Sequence, residues 1–265
     1  SVSNRLIDFL LEEKYDKIKR LITGAYGNMK ERLDKILASQ NIGSRKDVGL
    51  LIRKGAITVN GLVVKKSDTK VDGDIDEICV NGTPLQFKRH LYLMMNKPAG
   101  VLSAARDSRM QTVLDLLPEV YRRRGLFPAG RLDRDTEGLL IITDDGDFAH
   151  KMLSPKSNVF KVYHAKLDAP VTDEDITAFE TGIVIGDLHC LPAHLERFEK
   201  NGEPWAKVTI CEGKFHQVKR MFLARGKQVV YLERIQIGNL QLDTDLHRGE
   251  TRELTEQERT AIFHK

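Results

Sequence analysis

The chain is 265 residues long, 41% hydrophobic and 30% charged, proportions of a globular protein with room for one large domain and one small one. Its formal net charge of +4 is too small to identify a partner by itself, and no apolar run approaches the roughly 18 residues of a membrane-spanning helix. Three cysteines (Cys79, Cys190 and Cys211) without Cys-x-x-Cys spacing argue against a disulfide scaffold and for reduced thiols in a cytoplasmic protein.

Residues 1–29 read as one or two short helices, with Leu6, Leu10 and Leu11 on one face and Ile18, Leu21 and Ile22 on another. Charged residues interrupt the first apolar stretch, so it does not read as a secretory signal, and no function is assigned to it. Residues 30–87 form the next unit. Between residues 30 and 66 there are nine lysines and arginines against three acids. That excess of six exceeds the charge of the whole chain, as expected of a small basic module beside a near-neutral body. A helix is expected to begin at Arg32, with Leu33, Ile36 and Leu37 on its apolar face. Ser44 can cap a second helix that carries Arg45, Lys46, Arg53 and Lys54 and stops at Gly55. Gly49 inside that helix costs about 1 kcal/mol against Ala. Residues 57–64 read as a hairpin around Asn60-Gly61. From pattern alone the basic helix could be an ordinary solvated face. However, Arg32-Leu33-Asp34-Lys35-x-Leu37, Ser44-Arg45 and Val59-Asn60-Gly61 resemble an S4 RNA-binding domain. That resemblance implies that Arg32, Arg45, Lys46, Arg53 and Lys54 contact RNA phosphates, contacts that position more than they specify.

Residues 87–90 are a short polar linker, and the large domain is expected over residues 91–265. A buried strand over residues 91–95 ends at Asn96-Lys97-Pro98-Ala99-Gly100. Residues 106–109 are a basic loop. Tyr121-Arg122-Arg123-Arg124-Gly125 places three cations side by side, either RNA contacts or a solvated run. Gly130-Arg131-Leu132-Asp133-Arg134-Asp135-Thr136-Glu137-Gly138-Leu139-Leu140 follows, with Asp133 between basic residues and an apolar strand at once behind it. Such alternation of Arg and Asp usually means solvated salt bridges of small worth. A strand-anchored loop is equally the rigid support a nucleophile needs.

A helix is expected over residues 147–153, then a strand over 159–167 in which Tyr163 shares a face with Lys161 and Ala165. Thr172 and Asp175 cap a helix over residues 172–181. Antiparallel strands are expected near residues 183–185, 193–198 and 205–211, with the single Trp205 in the core. His189, Cys190 and His194 lack a second pair to complete a metal site. In Glu212-Gly213-Lys214-Phe215-His216-Gln217-Val218-Lys219-Arg220-Met221-Phe222, the residues Val218, Met221 and Phe222 give the buried face of a helix. Lys219 then either points to a site or lies exposed. A closing strand over residues 229–237 precedes a last helix capped by Thr255 and Glu258.

Three of these stretches, at residues 96–100, 130–140 and 212–222, together with Lys161-x-Tyr163, resemble the motifs of the RsuA/RluA superfamily of rRNA pseudouridine synthases. The resemblance spans roughly residues 30–255. It implies an α+β fold: a small S4 domain, then a catalytic domain with a mostly antiparallel central sheet flanked by helices. It implies an isomerase that converts a specific uridine to pseudouridine in small-subunit (16S) ribosomal RNA, without metal or cofactor. Asp133 is then the nucleophile, Lys219 its basic partner, and Tyr163 the ring that stacks on the base. Arg131 is a candidate to fill the gap left by the flipped uridine. The RluA type carries Arg where this chain has Lys219. His216-Gln217-Val218-Lys219-Arg220-Met221-Phe222 thus resembles the RsuA branch, and a point charge replaces a bidentate fork. Two alternatives remain open: a large-subunit synthase of the RluB/RluE/RluF type, and a non-catalytic rRNA-binding assembly factor. The expected partner is ribosomal RNA or a small-subunit assembly intermediate, met by a monomer away from any membrane.

Overall fold

The computed structural model describes residues 29–123, 125–186 and 188–264; the helices expected within residues 1–28 lie outside the described residues. The chain divides into two compact units between Arg89 and His90.

The first unit opens with β1 (Glu31–Arg32), α1 (Leu33–Ser39) and α2 (Arg45–Arg53). The strands β2 (Ile57–Val59), β3 (Leu62–Val63), β4 (Lys70–Val71), β5 (Ile78–Val80) and β6 (Thr83–Pro84) follow. Leu33, Ile36, Leu37, Val48, Ile52 and Ile57 build its core. Arg32 departs from expectation. It sits in β1 opposite Lys70, and the helix starts one residue later. The reason is pairing: the N–H groups of Leu33 and Asp34 donate to Thr69 O at 2.9 Å and Ser67 O at 3.1 Å, which holds the entry to the helix extended. Ser44 and Asp47 cap α2 reciprocally, each side chain accepting from the other's backbone N–H. Asn60-Gly61 turns β2 into β3 at φ +50° and +78°, the double positive φ of the tight hairpin turn. Asn81-Gly82 does the same between β5 and β6 at +50° and +79°.

The second unit contains β7 (Tyr92–Lys97), β8 (Phe127–Ala129), β9 (Glu137–Thr143), α3 (Gly146–Leu153), β10 (Lys161–Leu167) and α4 (Asp173–Thr181). It continues with β11 (Val184–Ile185), β12 (Leu188–His189), β13 (His194–Lys200), β14 (Glu203–Ile210) and α5 (Gln217–Ala224). β15 (Val229–Ile237), β16 (Leu240–Gln241), β17 (Thr251–Glu253) and α6 (Glu256–Ala261) complete it. The central sheet runs β13-β14-β10-β15-β9-β7-β17, with β16 beside β15 and β8 beside β9. Every pair is antiparallel except β15 with β9.

β7 and β9 read as unbroken apolar runs because both of their faces are buried. Leu93, Met95, Leu140 and Ile142 point into one cluster with Phe179 of α4 and Met221 and Phe222 of α5. Met94, Leu139 and Ile141 point the other way, into a cluster with Ala149 and Met152 of α3 and Ile262. Trp205 does not reach the core. It alternates with buried Ala206 and lies half-buried on the opposite face, stacked on Phe198 with ring centroids 6.0 Å apart and edge-on to Tyr231. A tryptophan in a strand carries no mark of which face is covered. Among the described residues no helix is long and apolar enough to cross a membrane.

Candidate active site

The parallel pairing of β15 with β9 brings the site together. Gly138, the second residue of β9, lies opposite Arg234 at φ +97°, and a Cβ there would stand 2.3 Å from the Arg234 carbonyl. Only glycine lets the two backbones approach so closely. The loop of residues 130–136 hangs from this junction and is pinned along its length. Buried Lys97 donates to three carbonyls: Pro98 at 3.0 Å, Arg134 at 3.2 Å and Thr136 at 2.9 Å. Burial pushes its ammonium down to about 8. Ser103 Oγ donates to Leu132 O at 2.8 Å and accepts from Leu132 N at 3.1 Å. Gly100 N donates to Arg134 O at 2.8 Å, and Arg234 Nη2 to Gly130 O at 2.6 Å. The turn at residues 96–100 therefore acts as the support of the loop.

Asp133 stands at the crest with a quarter of its side chain exposed. Lys219, in the first turn of α5, places Nζ 3.2 Å from Asp133 Oδ2 and 2.6 Å from Asp135 Oδ1. Burial works against the lysine charge, but the hydrogen bonds to Asp135 and Asp133 outweigh it and hold the ammonium above its ordinary range. His216 Nε2 lies 3.4 Å from Asp133 Oδ1. His216 is the residue before α5, in the left-handed region at φ +50°. Buried Glu212 and Gln217 shape that turn. Gln217 Nε2 donates to Glu212 Oε1 at 2.7 Å, and Lys214 N donates to Gln217 Oε1 at 3.0 Å. Tyr163 of β10, 8% exposed, lines the same recess as Asp133, Lys219 and His216. Behind it Arg234 Nη1 donates to the phenol oxygen at 3.4 Å.

The structure thus gathers Asp133, Lys219, Tyr163 and Arg131 around one opening. Asp135, His216, Arg234, Glu212 and Gln217 are additions that sequence reasoning did not single out; Gln217 and Glu212 lay inside the motif and carried a signal, whereas Arg234 sat in an unremarkable strand. The opening widens into a cleft of about 830 Å³ lined by Arg131, Arg134, Lys161, Lys214 and Arg234 against the acids Asp133 and Glu212. The excess of cations suits a polyanion. Arg131 is exposed and has no ion pair among the described residues. Arg123 is neither an RNA contact nor solvated: its side chain is 6% exposed and turns inward onto Asp144. A run of like charges on a loop does not disclose that a partly buried acid 21 residues away claims one of them.

The other sequence candidates lie in the first unit. Arg45, Lys46, Arg53 and Lys54 are exposed on or at the end of α2, without ion pairs among the described residues. Arg32 is exposed too, but bonds both oxygens of Asp34, at 3.0 and 2.9 Å.

A salt-bridged carboxylate beside an aromatic ring, at the head of a cleft in which cations outnumber acids, is an arrangement able to carry out nucleophilic chemistry on a polyanion. The family comparisons specify that chemistry: residues 91–224 match the RNA pseudouridylate synthase model and residues 31–74 the S4 domain. The chain belongs to the RNA pseudouridylate synthase family, isomerases acting on RNA. It is 48% identical over 229 residues to the uncharacterized RNA pseudouridine synthase YtzG of Bacillus subtilis, covering 86% of this chain and 96% of the relative. It is 40% identical to the ribosomal small subunit pseudouridine synthase A of Escherichia coli, covering 87% of this chain and 99% of the relative. It is 38% identical to the ribosomal large subunit pseudouridine synthase B of Bacillus subtilis, covering 86% and 93%.

Proposed function

We propose that this chain isomerises one uridine of small-subunit (16S) ribosomal RNA, with Asp133 as nucleophile. The observation that carries the reading is the Asp133–Lys219 contact of 3.2 Å at the mouth of a cationic cleft. In the isomerisation the bond from uracil N1 to ribose C1′ breaks, the base turns, and C5 bonds to C1′; a proton leaves C5 and one arrives at N1. Asp133 supplies the carboxylate that adds to the nucleotide. Lys219 stands beside it as a counter-charge, its Nζ 3.2 Å from Asp133 Oδ2. Tyr163 offers a flat ring to a base taken out of its stack, with its hydroxyl toward the C5 proton. Arg131, exposed at the rim, occupies the space the uridine leaves. Arg45, Lys46, Arg53 and Lys54 hold RNA phosphates. The chain acts as a monomer on ribosomal RNA or a small-subunit assembly intermediate.

The 40% identity to a small-subunit synthase supports the small-subunit assignment. The 38% identity to a large-subunit synthase keeps that substrate as the second reading. Pseudouridine mapping on both rRNAs and on their assembly intermediates, with wild type and Asp133→Asn, tests both. One new small-subunit site made by wild type alone is the expected result. A site in large-subunit RNA instead moves the substrate. Product from Asp133→Asn removes Asp133 from its role.

A further inference from the structure

Lys161 stands apart from the ion pairs that organise the rest of the site. It is 4% exposed and lies on β10 two residues before Tyr163, on the same face and about 6.6 Å along the strand. Among the described residues its ammonium has neither a hydrogen-bond nor an ion-pair partner. An unpaired ammonium in a protein interior is costly; burial first, then the charge of Arg234, pushes it down to about 8. Arg234 is in a similar position. It is 2% exposed, and its donors meet only neutral oxygens: Leu139 O at 2.8 Å, Gly130 O at 2.6 Å and the Tyr163 hydroxyl at 3.4 Å. Two buried cations thus share one wall of the cleft, and among the described residues neither has a carboxylate within ion-pair distance. The recess that holds Asp133 and Lys219 is closed by Thr136, Ile210 and Leu232 and includes neither Lys161 nor Arg234. Both line the cleft that also holds Asp133 and Tyr163, and Lys161 lies one repeat along β10 from Tyr163, which places them to meet a group next to the base held against that ring.

We propose that Lys161 and Arg234 form an anion subsite that takes a backbone phosphate of the RNA strand beside the nucleotide held against Tyr163. The proposal rests on reading Asp133 and Tyr163 as the reacting centre. A phosphate supplies the missing counter-charge, accepting from Lys161 Nζ and from Arg234 Nη1, whose bond to Tyr163 is long. Charge-assisted bonds of this kind are the strong ones. Lys219, already met by two carboxylates, is not available for that task.

The test uses the full chain and three probes: uridine 3′,5′-bisphosphate, uridine and inorganic phosphate, followed by NMR titration. Wild type is expected to bind the bisphosphate at least about tenfold more tightly than uridine, the gain of one charge-assisted hydrogen bond. Lys161→Gln should lose most of that preference, and Lys161→Arg should keep it. An equal preference in wild type and Lys161→Gln overturns the subsite, as does wild type binding both probes alike or neither. A second measurement needs no variant: with labelled lysine, the Lys161 signal of wild type should move with bisphosphate and inorganic phosphate but not with uridine. An unmoved signal overturns the proposal even where Lys161→Gln fails to fold. Asp133→Asn separates the two readings, since it should keep the bisphosphate preference while making no pseudouridine. If it still makes pseudouridine, the nucleophile assignment falls and the subsite stands or falls by the binding ratio alone.

Discussion

Lys219 divides its charge between two carboxylates of very different standing. Asp135 is nearer, at 2.6 Å, but three quarters of its side chain is exposed, whereas Asp133 at 3.2 Å is only a quarter exposed. An exposed pair contributes little because water screens it; the sheltered pair bears on the chemistry. Lys219→Met should therefore lower the single-turnover rate by about 10²-fold, as loss of a preorganised electrostatic contact does. Asp135→Asn should stay within about threefold of wild type. Tritium release from C5-labelled RNA measures both, and a larger loss from Asp135→Asn than from Lys219→Met would reverse the ranking. Asp133, Tyr163 and Lys219 stood out in the sequence because each sits inside a contiguous stretch of motif, and the structure brings the three to one recess. Their surroundings did not stand out. Asp135 meets Lys219 across 84 residues, and Arg234 meets Tyr163 across 71. Such contacts depend on which strands are neighbours, and local patterning does not state that.

At the scale of elements, glycines show how differently one residue type behaves. Gly49 is buried in α2 in ordinary helical surroundings, and a Cβ there would meet only Ser67 Oγ at 3.7 Å. Gly49→Ala should stabilise the first unit by about 0.5–1 kcal/mol, the helix-propensity difference, read as a rise in its chemical-denaturation midpoint. Gly138→Ala meets the Arg234 carbonyl at 2.3 Å. It should separate β9 from β15 and abolish activity along with cooperative melting; an active, stable variant would show that the two strands need not touch.

Helix α4 carries the pH-sensitive contact. Asp175 is 1% exposed. Burial alone would raise its pKa, but Lys227 at 2.5 Å, the Thr172 N–H and Arg225 at 3.0 Å outweigh it and hold the carboxyl at about 2. A depressed folded pKa means stability present above the unfolded value and lost as pH falls through the folded one, here from about pH 4 to about pH 2. The loss should be about 2 kcal/mol. Denaturation of wild type and Asp175→Asn across that range should show their difference closing; a constant difference would mean the carboxylate is not charged in the fold. The capping pair Thr172 and Asp175 was readable locally. Its clamp by Arg225 and Lys227, beyond the end of α5, was not. Likewise the Asn60-Gly61 turn was readable as a hairpin, while Asn201-Gly202, at φ +56° and +74° between β13 and β14, passed unnoticed because its flanking strands are polar on one face.

At the scale of the whole chain, the two units have separate cores and different tasks. Arg45, Lys46, Arg53 and Lys54 present four exposed cations, and none has an ion pair among the described residues. An unpaired surface cation contributes little to folding, so these can change without loss of structure. Each that meets a phosphate adds about 0.7–0.9 to the slope of log affinity against log salt. Replacing all four by glutamine should therefore flatten that slope by roughly 3 and weaken RNA binding most at low salt. The single-turnover rate at saturating RNA should not change, because the substituted residues lie in the first unit and Asp133, Lys219 and Tyr163 all lie in the second. Filter binding across a salt series, paired with tritium release, separates the outcomes. An unchanged slope would remove α2 from the RNA contact. A lowered rate at saturation would mean that the first unit does more than anchor: it would help to place the uridine at Asp133.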